Sequence, residues 1–166
     1  MDAPFLQTAR LALVLEPTEA VLARVDAMPP ADRAEVSPDW LARLRASPAS
    51  SPWTHGFVLV ERATGAVVGS CAFKGPPDPD GVVEIAYGLD PEYRGRGYAR
   101  EAAAALADFA RGAGGARVVR AHTRPENEAS ARVLAACGFA RVGEVVDPED
   151  GVVCRWELAD PGRAPA

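Results

Sequence analysis

Long apolar runs are missing from this sequence. None approaches the ~20 residues of a membrane-spanning helix, so no membrane partner is expected. The opening MDAPFLQTAR sets Asp2 ahead of any basic residue and has no apolar segment of signal-peptide type. A cytoplasmic location is therefore expected. An excess of positive charge is missing too. Eighteen Lys and Arg face 23 Asp and Glu, a formal net charge of −5. Phosphate backbones reward a basic surface, so nucleic acid is not an expected partner. Lysine is almost absent: Lys74 is the only one, and the other 17 basic side chains are arginines. That usage reads as base composition and carries no functional meaning by itself. Only three cysteines occur, Cys71, Cys137 and Cys154, widely spaced and without a C-x-x-C pair. His55 and His122 have no ligand spacing to them. Buried thiols, no disulfide framework and no metal site are expected.

What remains is an ordinary globular composition, 48% hydrophobic and 25% charged over 166 residues. That is the length of one domain, 1–166, with a core over about 8–158 and a frayed Pro/Gly/Ala tail over 159–166. Arg10–Glu16 reads as a strand ended by Pro17. Thr18 reads as an N-cap before a helix over Glu19–Ala27. Pro29-Pro30 breaks that helix, and Ser37-Pro38 opens the next one. Thr54–Arg62, Ala66–Phe73 and Val82–Leu89 are three antiparallel strands, the first two joined by a turn at Ala63-Thr64-Gly65. Tyr98–Gly112 carries a helical stripe, Arg117–Thr123 a strand, and Asn127–Cys137 a helix stopped by Gly138. Phe139–Val146 and Val152–Leu158 form a last hairpin. The order β-α-α-β-β-β-α-β-α-β-β predicts an α/β (α+β) domain on a mixed, mostly antiparallel sheet of six to seven strands.

The chemistry concentrates in Val82–Glu101, VVEIAYGLDPEYRGRGYARE. Alternation places Val83, Ile85, Tyr87 and Leu89 on one face and Val82, Glu84, Ala86 and Gly88 on the other. The second face shrinks toward its end while carrying a carboxylate earlier, a pattern that fits close approach of another group or a plain solvated face. Arg94-Gly95-Arg96-Gly97-Tyr98-Ala99 then opens a helix. Glycines at a helix N-terminus expose unpaired N–H groups and the positive end of the dipole, and Arg94, Arg96 and Arg100 add charge. A pyrophosphate is the expected ligand. Gly-Lys-Ser/Thr is absent, and G-x-G-x-x-G fails at Arg100, so neither a P-loop nor a Rossmann fingerprint is present.

Arg94-x-x-Gly97-x-Ala99 resembles the Arg/Gln-x-x-Gly-x-Gly/Ala signature of the GNAT superfamily of acyl-CoA N-acyltransferases. Asn127-x-x-Ser130 followed by Leu134 and Gly138-Phe139 resembles the same superfamily's N-x-x-S…L…G-F segment. Thr8–Leu11 is similar to the start of the branch containing the ribosomal-protein N-terminal acetyltransferases, with Val14 where that branch usually has arginine. The resemblance covers roughly Thr8–Leu158.

The resemblance implies a single-domain GNAT fold and acetyl-CoA as cosubstrate. It implies that the Tyr87-Gly88-Leu89 backbone pairs with the pantetheine arm, and that the N–H groups of Gly95, Arg96, Gly97, Tyr98, Ala99 and Arg100 hold the pyrophosphate beside Arg94. It implies further that Asn127 contacts the cofactor arm and that Ser130 is a general acid. Asn127 reads equally as a helix N-cap and Ser130 as a tolerated small residue. The expected reaction moves an acetyl group to a primary amine, a peptide N-terminus or a small molecule, by direct attack in a monomer or homodimer. Glu84 is the expected base, although some 17 Å of chain separates it from Leu89; Glu144 is the second choice. An acyl-CoA sensor without turnover and an unrelated α/β phosphate-binding domain are the alternatives. His122 reads as structural or solvent-facing, because nothing near it in sequence orients an imidazole. Tyr93 reads as packing. Trp40 and Trp53 read as walls of an acceptor pocket or as core anchors.

Overall fold

The computed structural model describes residues 4–47, 49–148 and 150–159. The tail expected to fray lies, beyond Ala159, outside the described residues. Eight strands form one sheet in the order β1-β2-β3-β4-β5-β6-β8-β7. They are β1 (Leu6–Gln7), β2 (Leu11–Leu15), β3 (Phe57–Glu61), β4 (Val67–Phe73), β5 (Val82–Leu89), β6 (Val118–Thr123), β7 (Ala140–Asp147) and β8 (Gly151–Ala159). All neighbours are antiparallel except β5 and β6. The helices are α1 (Thr18–Asp26), α2 (Pro30–Ala34), α3 (Pro38–Ala46), α4 (Tyr98–Arg111) and α5 (Glu128–Ala136). A 3₁₀ turn at Pro91–Tyr93 follows β5.

Three local expectations change. The two-residue β1 pairs with β2 through Leu6↔Leu13 and Gln7↔Ala12, too short to leave a period in the sequence. Pro30 does not merely break α1; at the first helical turn its fixed φ starts α2. Thr18 is not an N-cap. The cap position is Pro17, with no side-chain bond, and the Thr18 hydroxyl instead lies 2.8 Å from His55 Nε2. Ser37 does cap α3, accepting from Trp40 N–H.

The core lies between the sheet and α4. Ala102, Ala103, Leu106, Ala107 and Ala110 are buried on one stripe of α4, facing Leu11, Leu13, Leu59, Val83 and Ile85 among others. Small side chains on that stripe let the helix sit close to β5. Phe5, Trp53, Phe57, Phe73 and Phe109 form an aromatic cluster at one end, with centroid separations of 4.8–6.3 Å. Trp53 is thus a core anchor.

Candidate active site

The site begins where the sheet parts. β5 pairs with β4 from Ile85 to Leu89, but with β6 only over Val82–Glu84 against Val118–Arg120. Past Glu84 the two strands diverge. The β6-facing backbone of Ile85–Leu89 is left as an open strand edge. Two cavities meet at this wedge. A cleft of about 690 Å³ lies on the Glu84, Ala86 and Gly88 face, walled by Trp40, His55 and Phe57 among others. A smaller cavity of about 90 Å³ is lined by Lys74, Glu84, Tyr87, His122 and Ser130 with neighbouring apolar residues. Lys74, Glu84, Ala86 and Tyr87 line both.

Glu84 is the centre of a charged network. Its Oε2 lies 3.0 Å from Lys74 Nζ and 3.1 Å from His122 Nδ1. Arg155 Nε donates to His122 Nε2 at 3.1 Å. Since arginine only donates, Nε2 must be the acceptor and Nδ1 carries the proton toward Glu84. His122 is thus oriented by groups distant in sequence, Glu84 and Arg155, where its sequence neighbours offer none. The register supplies the orienting groups: β6 and β8 set His122 opposite Arg155, and Glu84 is opposite Arg120, two residues before His122 on the same face. Lys74, just past β4, is fixed by its N–H to the Glu84 carbonyl at 2.9 Å. Burial opposes the Lys74 charge, but Glu84, Asp147 and Asp150 outweigh it and hold the ammonium above the usual lysine range.

In the smaller cavity, the Tyr87 hydroxyl lies 3.1 Å from Ser130 Oγ. Burial pushes the Tyr87 phenol up, partly offset by that contact. Ser130 N–H donates to Asn127 Oδ1 at 3.1 Å, so Asn127 caps α5. The pairing of Ser130 with a tyrosine from β5 was invisible in sequence, where only residues near Ser130 come under scrutiny.

The glycine turn sits at the open end of β5. Gly95 and Gly97 have φ of 77° and 85°, the left-handed region that side chains disfavour. Gly97 is the N-cap of α4, with no side-chain cap, and the first helical bond runs from Glu101 N–H to the Gly97 carbonyl at 3.2 Å. The N–H groups of Tyr98, Ala99 and Arg100 precede any intrahelical acceptor. Arg94 Nε donates to the Leu89 carbonyl at 3.3 Å, and the Arg96 guanidinium lies 5.4 Å from the Tyr93 ring centre. The Tyr98 side chain is turned inward, donating to Glu61 and covered by Arg10 at 4.5 Å, so only its backbone faces the turn. Glu101 accepts from Thr8 Oγ1 at 2.7 Å and from Arg10 N–H at 3.0 Å, and pairs with the Arg10 guanidinium. The Thr8-x-Arg10 run thus clamps the first turn of α4.

Other candidates separate cleanly. Trp40 lines the large cleft, its Nε1 donating to the Thr54 carbonyl at 2.8 Å. Glu144 is exposed on β7, paired with Arg141 at 3.0 Å, and lines neither cavity. Gly88 has open space around it, with nothing within 4 Å of an added Cβ. The close approach is made by Gly69 of β4, whose Cβ would lie 2.2 Å from the Gly88 carbonyl oxygen. No helix is long and apolar enough to cross a membrane among the described residues.

The sequence profile of a family described as "Acetyltransferase (GNAT) domain" matches residues 9–140. The N-alpha-acetyltransferase RimI of Mycobacterium tuberculosis is 36% identical over 93 residues, 54% of this chain and 55% of that protein. The chain spans about half the length of the curated relatives it matches. Among solved structures, the ribosomal-protein-S5-alanine acetyltransferase of Vibrio fischeri superposes with a TM-score of 0.70 at 20% identity, covering 96% of this chain and 98% of that one. The ribosomal L7/L12 alpha-N-protein acetyltransferase RimL in complex with coenzyme A superposes with a TM-score of 0.67 at 16% identity, covering 92% and 95%. These last two are likenesses of fold. The matched span runs from the Arg10 clamp through the glycine turn to Ser130 and the start of β7, and the chain belongs to the acetyltransferase (GNAT) domain family.

Proposed function

We propose that this chain moves an acetyl group from acetyl-CoA to a primary amine by direct attack, without a covalent enzyme intermediate. The observation that carries the reading is the divergence of β5 from β6 beyond Glu84. It gathers an open strand edge, a glycine turn rich in unshared N–H groups and an oriented carboxylate around one gap. The fold neighbour that holds coenzyme A supports the same choice of cosubstrate.

The residues fit that ligand. Backbone groups of Tyr87, Gly88 and Leu89 would take the pantetheine arm as an added strand. N–H groups from Gly95 to Arg100 would hold the pyrophosphate at the dipole's positive end, with Arg94, Arg96 and Arg100 supplying charge. Asn127 would lie beside the arm with its cap bond intact. Bound acetyl-CoA supplies an acyl carbon activated as a thioester.

The chain's own groups supply the proton transfers. An ammonium is not a nucleophile, so Glu84 takes a proton from the acceptor, directly or through water, in the cleft that its half-buried side chain lines. Lys74 and His122 both engage Oε2. A backbone N–H near Leu89 would stabilise the developing oxyanion. Ser130, hydrogen-bonded to Tyr87, would return a proton to the departing sulfur. The acceptor class is a primary amine, on a peptide N-terminus or a small molecule.

Calorimetric titration with acetyl-CoA, followed by thiol release across a panel of primary amines, tests the reading. Binding and amine-dependent release are expected. Binding without release for every amine would leave a sensor, and no binding would leave an unrelated phosphate-binding domain.

A further inference from the structure

Lys74 is the only lysine in the chain, and its ammonium lies against the proposed base. We propose that Lys74 Nζ is itself an acetyl acceptor, so that the chain acetylates its own cleft. This rests on the acetyl-transfer reading above.

The argument is one of positions. Lys74 Nζ lies 3.0 Å from Glu84 Oε2, the contact that an acceptor ammonium makes before it loses its proton. A backbone bond from Lys74 N–H to the Glu84 carbonyl ties the two residues together at the end of the β4–β5 ladder, so the contact does not depend on a wandering loop. Lys74, Glu84, Tyr87 and Ser130 line the same cavity of about 90 Å³. Amine, base and the proposed proton donor therefore share a space of a few atoms' width. The lysine is not buried away from reagents, since its side chain is 55% exposed, and it also lines the large cleft. Other lysines would blur any such event, but here the competing primary amine is an N-terminal one.

The balance is simple. The Lys74 ammonium gives one proton to Glu84, which passes it to solvent. The free amine forms a bond to the acetyl carbon as the bond between that carbon and the CoA sulfur breaks. The nitrogen gives up a second proton, and the sulfur leaves as a thiol after taking one. The amide keeps the third hydrogen. Acetylation removes a positive charge from the cleft and removes one of the two partners of Glu84 Oε2, leaving His122. The cleft then carries Glu16, Glu35, Glu84 and Asp147 against Arg24 and Arg43, a balance better suited to a cationic acceptor.

The test incubates the full chain with acetyl-CoA and no added amine. Intact mass and thiol release are followed, and proteolytic peptides locate the label. One acetyl group on Lys74 is expected, with thiol released in equal amount and a rate per chain unchanged on dilution. Glu84→Gln should slow the labelling by about 10²-fold, and Lys74→Arg should leave the corresponding peptide unlabelled. A wild-type chain unfolded in urea serves as the control for uncatalysed acetylation. Equal labelling of Lys74 in Glu84→Gln or in unfolded chain overturns the proposal. So does an unlabelled Lys74 in a protein that releases thiol with amines of the panel, a result that leaves the acetyltransferase reading standing. Absence of both acetyl-CoA binding and thiol release removes that reading and this inference with it.

Discussion

Two glycines on facing strands give opposite expectations under the same substitution. In Gly69→Ala the new methyl is built 2.2 Å from the Gly88 carbonyl oxygen and 2.9 Å from Leu89 Cα. Both are backbone atoms of β5, so no rotamer relieves the contact. β4 and β5 must part by roughly 1 Å to reach ordinary separation. Overpacking costs about 1–3 kcal/mol, and a backbone clash belongs at the upper end. For a domain of this size ~3 kcal/mol corresponds to a drop of roughly 6–12 °C in Tm. In Gly88→Ala nothing lies within 4 Å, and the residue is not in the left-handed region. Its stability should stay within about 0.5 kcal/mol of wild type. The methyl nonetheless enters the large cleft, and ligand affinity should fall by about tenfold, ~1.4 kcal/mol. Urea denaturation gives the stabilities, and calorimetric acetyl-CoA titration gives the affinities. A neutral Gly69→Ala, or a Gly88→Ala as unstable as Gly69→Ala, would refute the assignment of close approach to one glycine and ligand space to the other.

The remaining expectations concern the proposed chemistry and the clamp on α4. Gly97→Glu puts a side chain at φ 85° within reach of Arg10 and a negative charge beside the N–H cluster, and should abolish the rise in Tm that acetyl-CoA gives wild type; a retained rise moves the phosphate site elsewhere. Ser130→Ala should lower kcat on the order of tenfold with acetyl-CoA affinity kept, since a CoA thiol needs only modest help from an acid; steady-state kinetics with full kcat would make Ser130 structural. Glu84→Gln should cut kcat/KM by roughly 10²-fold and flatten the acidic limb of the pH–rate profile, and an unchanged limb would place the base elsewhere. At Glu101, burial raises the carboxyl pKa, but the Thr8 hydroxyl and the Arg10 N–H and guanidinium outweigh it and hold it below the usual value. A depressed folded-state pKa gives stability that is present above the unfolded pKa and lost as pH falls through the folded one. Glu101→Gln should therefore be less stable than wild type near neutrality, and denaturation curves should converge as pH falls through the carboxylate range.

Much of this site was readable in sequence because its parts are local. β5 has the boundaries its alternation gave, Ser37 caps α3, and the Gly95–Gly97 turn opens α4. Asn127 and Ser130, three residues apart, meet through a cap bond that helix geometry alone predicts. What escaped is what depends on register between distant strands. His122 gains its meaning only when β6 lies beside β5 and opposite β8. Lys74 and Tyr87 gain theirs from the turn after β4 and from α5, which packs against β6 and brings Ser130 to Tyr87. Thr18 shows the same limit in miniature, a hydroxyl before a helix whose partner, His55, lies 37 residues away.

The short β5–β6 ladder also divides the molecule as a mechanical object. Five strands, β1 to β5, form one antiparallel array and three, β6, β8 and β7, another, joined by three residue pairs of parallel ladder. Cooperative unfolding is shared out along such lines, with the least paired boundary opening first. Amides on the β6-facing edge of Ile85–Leu89 should exchange hydrogen by local motion, while those deep in either array should exchange only on wider unfolding. A molecule that spans the wedge would bond to both arrays at once and make their opening a single event.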